Sequence, residues 1–134
     1  MTKSHMARRW IFVVLFFLFM LSVTVAADFR LIPTQMRGIP YFDKLGHFTL
    51  YGILAFLVQL ALEPRALRVG RVRIPLALLF VFALAILDEM QQSFSPYRAV
   101  DLSDLIADFL GILIGVSVAT LLARMRRARH TTNP

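Results

Sequence analysis

The sequence predicts an all-α membrane protein: a four-helix transmembrane bundle forming one domain over residues 1–134, with both termini in the cytoplasm. Three observations predict it. Hydrophobic residues make up 58% of the chain without counting glycine, above the roughly 45–50% (glycine included) of soluble domains, and charged residues fall to 17% against about 25%. The apolar residues gather into runs of membrane-crossing length. The lysines and arginines lie between those runs, biased to one side. A chain of 134 residues has room for a single core. Its net charge of +7 and pI near 11.1 would suggest nucleic acid in a soluble protein. Here the arginines flank apolar runs and leave no basic face with interleaved aromatics, so nucleic-acid binding is rejected. With no cysteine, disulfides, thiolate catalysis and cysteine-ligated zinc are excluded.

The first run, Trp10 to Ala27, holds 18 residues without a charge, about 27 Å as a helix against a hydrocarbon core of about 30 Å. Arg8 and Arg9 precede it and Val25-Ala26-Ala27 resembles a small-residue cleavage site, the marks of a signal peptide. The run is longer than the usual signal core, and the sequence is read as a retained span. The second span is Asp43 to Leu62, apolar beyond its first turn and a half, with Pro40 just before it. The third starts at Ile74 but reaches spanning length only by continuing through Asp88, Glu89, Gln91 and Gln92 to Phe94; Pro96 follows. The fourth runs from Asp104 to Ala123, with Asp101 or Ser103 as its cap, and the tail beyond Arg124 is expected to fray.

Orientation follows from the basic residues. The N-terminal segment, the loop from Glu63 to Arg73 and the tail hold 11 of the 15, and the opposite side holds Arg30, Arg37, Lys44 and Arg98. The positive-inside rule places the 11 in the cytoplasm and makes the protein a multi-pass component of the inner membrane. The acids run the other way, with only Glu63 on the inner side.

Polar groups collect at the outer ends of three spans. Asp43, His47 and Tyr51 recur every four residues on one helical face, beside Lys44. Glu89 and Gln92 stand three apart, and Asp104 and Asp108 four apart. An ionisable group within a span costs about 2.5–3.5 kcal/mol at mid-membrane and therefore faces protein or water. Six carboxylates (Asp43, Asp88, Glu89, Asp101, Asp104, Asp108) meet two cations, Lys44 and Arg98, for a sum of −4 with His47 neutral. Protonation, a divalent metal or a cationic ligand would offset the excess. Plain structural roles compete: Asp43, Asp101 and Asp104 cap helix starts, Asp88 faces solvent, Tyr51 packs at the interface, and His47 pairs with a carboxylate. Gly111, Gly115 and Ala119 repeat every four residues and let another helix approach closely.

These residues resemble the VanZ-like family of small bacterial membrane proteins. The matching stretches are Asp43-Lys44-Leu45-Gly46-His47-Phe48 with Tyr51, then Glu89-x-x-Gln92-x-Phe94-x-Pro96-x-Arg98-x-x-Asp101-x-x-Asp104-x-x-x-Asp108-x-x-Gly111-x-x-x-Gly115. They cover about half the chain. Asp108 stands where the family pattern often has Asn, and Tyr97 where it often has Gly. The resemblance implies a four-span helical protein of the bacterial envelope, in a family whose naming member is associated with teicoplanin resistance.

Three functions of different classes fit the residues. In the first, the outer pocket of Asp43, Lys44, His47, Tyr51, Glu89, Gln92, Arg98, Asp101, Asp104 and Asp108 binds a membrane lipid headgroup, a lipid-linked cell-wall precursor or an amphiphilic antibiotic. In the second, a membrane-embedded hydrolase or transferase acts on a lipid-linked phosphate. There Glu89, Asp104 and Asp108 hold a divalent metal, Mg²⁺ or Ca²⁺ ahead of Zn²⁺, Arg98 and Lys44 hold phosphate, and His47 is acid or base. That enzyme's catalytic candidates are His47, Glu89 and Arg98, with water as nucleophile. In the third, the carboxylates and histidine relay protons or ions, although the inner halves of the spans are nearly all apolar, Gln59 being the main exception.

Overall fold

The computed structural model describes residues 3–29, 31, 41–62, 65–94 and 101–131, apart from the side chains of residues 3, 28, 130 and 131. Four helices and one hairpin make up the fold: α1 (Lys3–Asp28), α2 (Phe42–Leu62), β1 (Ala66–Val69), β2 (Val72–Pro75), α3 (Leu76–Gln92) and α4 (Leu102–Thr131). Long apolar runs become helices because only a helix bonds every backbone N–H within its own segment when water is excluded. Three helices are long and apolar enough to cross a membrane, over Ser4–Ala27, Phe42–Leu62 and Leu102–Arg129.

Helices α2 and α4 form the centre, with the most extensive contact between any two elements. They run parallel: His47 meets Asp108 and Gln59 meets Thr120, both pairs 61 residues apart. A parallel approach this close requires glycine. A Cβ on Gly111 would collide with the Phe48 carbonyl oxygen, and one on Gly115 with that of Gly52. Ala55, Val58, Ile112, Val116 and Ala119 continue the seam.

Helix α1 runs antiparallel on the outside, its Arg9 guanidinium donating to the Leu60 carbonyl at 2.8 Å, one of the last carbonyls of α2 and free for such a cap. Among the described side chains of α1 only Val13 and Met20 are buried, while Ile11, Phe12, Leu15, Leu18 and Phe19 face outward. A helix apolar all round suits contact with lipid. On α3 the buried residues are Ala77, Val81, Ala85, Glu89 and Gln92; the first four recur at every fourth position, and the alanines let α3 lie close to its neighbours.

The hairpin corrects the expectation of an all-α chain. Residues 66–75 pair antiparallel, with Leu67 opposite Ile74, Arg68 opposite Arg73 and Val69 opposite Val72. The pattern has period two: Leu67, Val69, Val72 and Ile74 share one face and Arg68 and Arg73 the other. Gly70 opens the two-residue loop at φ 61°, the left-handed conformation a type II′ turn demands at that position. Arginines interleaved with β-branched residues make poor membrane helix and good hairpin.

The third apolar segment changes accordingly. Ile74 and Pro75 belong to β2, and Ser93 and Phe94 form a turn, so α3 has 17 residues and a length of about 25 Å rather than a full span over 74–94. The tail also differs from expectation, since α4 stays helical through Thr131. Its four arginines beyond Ala123 sit at a helix C-terminus, where positive charge is favoured.

Candidate functional site

The buried stripes of α2, α3 and α4 do not turn apolar at their common end; they turn polar. On α2 the stripe of Leu54 and Val58 continues upward through Tyr51 to His47. On α3 it continues from Ala85 to Glu89 and Gln92, and on α4 from Ile112 to Asp108 and Asp104. Asp108 is 1% exposed and Asp104 3%, a depth at which a carboxylate needs partners.

Lys44 supplies the first bridge. Its ammonium donates to Asp101 Oδ2 at 2.7 Å and to Asp104 Oδ1 at 2.9 Å, tying the start of α2 to the start of α4. Asp101 is the N-cap of α4: its Oδ1 accepts from the Ser103 backbone N–H at 2.8 Å and from the Ser103 hydroxyl at 2.6 Å, satisfying an orphan donor of the first turn. The Lys44 ammonium and the Ser103 donors hold the Asp101 carboxyl well below the usual carboxylate range. Glu89 reaches across from α3, its Oε1 accepting from the Asp101 backbone N–H at 2.6 Å. Three helix ends are therefore joined through Asp101.

One layer deeper, His47 Nδ1 and Asp108 Oδ1 lie 3.0 Å apart, directly above the Gly111–Phe48 contact that brings the two backbones together. The His47 ring stacks on Tyr51 with centroids 6.3 Å apart. Gln92 Nε2 donates to Asp88 Oδ2 at 3.2 Å. Two buried polar atoms in this layer, Tyr51 Oη and Glu89 Oε2, have no hydrogen-bond partner among the described residues. A buried carboxylate oxygen left so is costly, on the order of 1–3 kcal/mol or more for a charged group.

Of the ten residues singled out from the sequence, nine lie in this cluster; Arg98 lies outside the described residues. Asp43 sits at the exposed edge, and Gly111 and Gly115 face α2 rather than another chain. For a metal, the described residues bring together a different trio from Glu89, Asp104 and Asp108. Ligand atoms of Asp43, His47 and Asp104 all lie within 4.8 Å of one another. The signal for it was in the sequence: Asp43 and His47 are four apart on α2, facing Asp104 once the helices are known to be parallel. Sequence reasoning gave Ser103 no part in holding Asp101, and treated Asp88, the partner of Gln92, as solvent-facing.

The opposite end of the bundle carries the reverse charge. There the start of α1, the end of α2, the hairpin and the end of α4 bring Arg8, Arg9, Arg65, Arg68, Arg71, Arg73, Arg124, Arg126, Arg127 and Arg129 to one side.

The profile of the VanZ/LLP1 family matches residues 3–123, and the chain belongs to that family. No curated protein and no solved structure matches it significantly.

Proposed function

We propose that this VanZ/LLP1 family member is a multi-pass inner-membrane protein, with both termini cytoplasmic and α3 as its fourth crossing, whose acid-rich end is an outer-leaflet binding site. The ligand is an amphiphile: a lipid headgroup, a lipid-linked cell-wall precursor or an amphiphilic antibiotic. The cluster holds six carboxylates against Lys44 and His47 among the described residues, so the part of the ligand that enters is its amine or hydroxyl donors. One observation carries the reading: Glu89 Oε2 is buried without a hydrogen-bond partner among the described residues, while Oε1 is held by the Asp101 backbone. A donor from the ligand would relieve that cost. Arg98, which stands between α3 and α4 in the sequence, would take the ligand's phosphate.

Glu89→Gln tests it, because the amide carbonyl can still accept from Asp101 while the charge is gone. Native mass spectrometry from detergent micelles containing phosphatidylethanolamine should show retention of that lipid falling at least tenfold in the variant, with Arg98→Ala falling similarly. Equal retention by wild type and both variants would refute the assignment.

The Asp43, His47 and Asp104 trio supports a second reading, a metal-assisted hydrolase or transferase acting on a lipid-linked phosphate. Two carboxylates and an imidazole suit Mn²⁺ or Zn²⁺ better than Mg²⁺ or Ca²⁺, and a bound cation would compete with Lys44 for Asp104. Elemental analysis of protein purified without chelator should find near-stoichiometric metal that Asp43→Asn lowers; its absence from both rules this reading out.

A further inference from the structure

The hairpin takes no part in the acid-rich site, and its two faces differ. One carries the pairs Leu67–Ile74 and Val69–Val72, and the other carries Arg68 directly opposite Arg73. Among the described residues nothing covers the apolar face: Leu67 is 49% exposed, Val69 56% and Val72 61%. In water such a hairpin is poorly supported. Two strands alone are marginally stable at best, and like charges directly opposite weaken them further. No ion pair among the described residues holds Arg68 or Arg73.

The attachment of the hairpin sets its depth. β1 begins shortly after α2 ends at Leu62, and β2 runs into α3 at Leu76 without a break. The Leu76 N–H donates to the Arg65 carbonyl at 3.0 Å, which fastens the base of the hairpin to the first turn of α3. That turn has no side-chain cap, so its free N–H groups need water or headgroup oxygens and stay out of hydrocarbon. Where α3 enters the membrane, the hairpin base is therefore level with the headgroups.

We infer that the hairpin is an interfacial anchor, lying flat on the leaflet at its end of the bundle and binding a surface of anionic phospholipid. In the topology proposed above that leaflet is the cytoplasmic one. The apolar face enters the acyl boundary, while Arg65, Arg68, Arg71 and Arg73 reach the phosphates around it. A phosphate between Arg68 and Arg73 turns their repulsion into two charge-assisted hydrogen bonds. Upright, four-residue strands would carry Val69 and Val72 about 13 Å from the helix ends. That is beyond a headgroup layer of roughly 5–8 Å and would leave the apolar face wet. Basic residues clustered beside a span suit an anionic surface rather than a zwitterionic one. A second copy of the chain could cover the apolar face, but it would gather the arginines of both copies with no acid between them. The inference rests on α2 and α3 crossing the membrane and not on what the acid-rich end binds.

The chain has no cysteine, so one introduced cysteine carries a nitroxide at a single place. The test uses the full chain in vesicles of phosphatidylglycerol and phosphatidylcholine in equal parts. Labels at Val69→Cys and Val72→Cys should favour collision with oxygen over a water-soluble nickel chelate, by at least threefold relative to a label at Arg68→Cys. In phosphatidylcholine alone that contrast should fall at least twofold, and Arg71→Gln with Arg73→Gln should cause the same fall in the mixed vesicles. Labels at Ile53→Cys on α2 and Ala83→Cys on α3 test the crossings themselves. If these meet the chelate freely, the membrane reading fails and the anchor with it. If they are shielded while the Val69 and Val72 labels are as wet as that at Arg68, the anchor alone is overturned. A contrast indifferent to phosphatidylglycerol, or dipolar broadening between Val72 labels on two copies, also overturns it. In unlabelled wild type, amide hydrogen exchange over residues 66–75 should slow at least threefold from phosphatidylcholine to the mixed vesicles. Equal exchange overturns the proposal even if a labelled variant fails to fold.

Discussion

Gly111→Ala places one methyl group where α2 and α4 touch backbone to backbone, below the polar cluster, its nearest neighbours being backbone atoms of Phe48. The added Cβ would meet the Phe48 carbonyl oxygen far inside van der Waals contact, so the helices must part by roughly 1 Å. That displacement carries the His47–Asp108 pair from 3.0 Å past the range of a hydrogen bond. Overpacking of this kind costs about 1–3 kcal/mol, and a lost interhelical hydrogen bond in a membrane averages about 0.6 kcal/mol with a maximum near 1.7. The total is about 2–4 kcal/mol. Reversible unfolding in SDS, followed by circular dichroism, reads the stability, and ¹⁵N shifts of the His47 ring read the pair. If Gly111→Ala keeps wild-type stability and an unchanged His47 spectrum, the glycine seam does not hold the site together.

Other outcomes follow from single contacts. Lys44→Met should return the Asp101 carboxyl toward the ordinary range near 4, read by carboxyl ¹³C titration. Because the folded value lies below the unfolded one, the Lys44–Asp101 link stabilises at pH above about 4 and is lost as pH falls through the lower folded value. Wild type should therefore lose more stability on acidification than Lys44→Met, which lacks the link. Gly70→Val should cost about 1–2 kcal/mol by forcing a β-branched residue into φ 61°, seen as loss of hairpin amide protection in hydrogen exchange while the helices stay protected. Asp108→Asn should keep the fold, since an amide can still meet His47 Nδ1, and should move the ¹⁵N shifts of the His47 ring; unchanged shifts would mean the two side chains do not interact.

The helices and their polar ends were legible because each follows from one local rule. Asp43, His47 and Tyr51 announce a single face by their spacing, and long uncharged runs announce spans. Which faces meet was not legible: the four-span topology already makes α2 and α4 parallel, but the spacing on each helix does not say that they touch, nor that His47 meets Asp108 and Asp43 lies near Asp104. The hairpin was missed for a different reason. Four arginines in the loop carried the orientation argument, and that long-range signal masked the period-two alternation of Leu67, Val69, Val72 and Ile74. The short α3 follows from the same oversight, because Ile74 and Pro75 were counted into a helix that the strand had already claimed.

The contact of Phe48 and Gly52 carbonyls with Gly111 and Gly115 also decides which part of the molecule can yield. Two main chains in direct contact have no side chain between them to rotate aside, so α2 and α4 behave as one rigid post. In the proposed binding role, a ligand entering between the helices would have to displace α3 rather than part α2 from α4, and the Glu89–Asp101 link is the contact such a displacement would break.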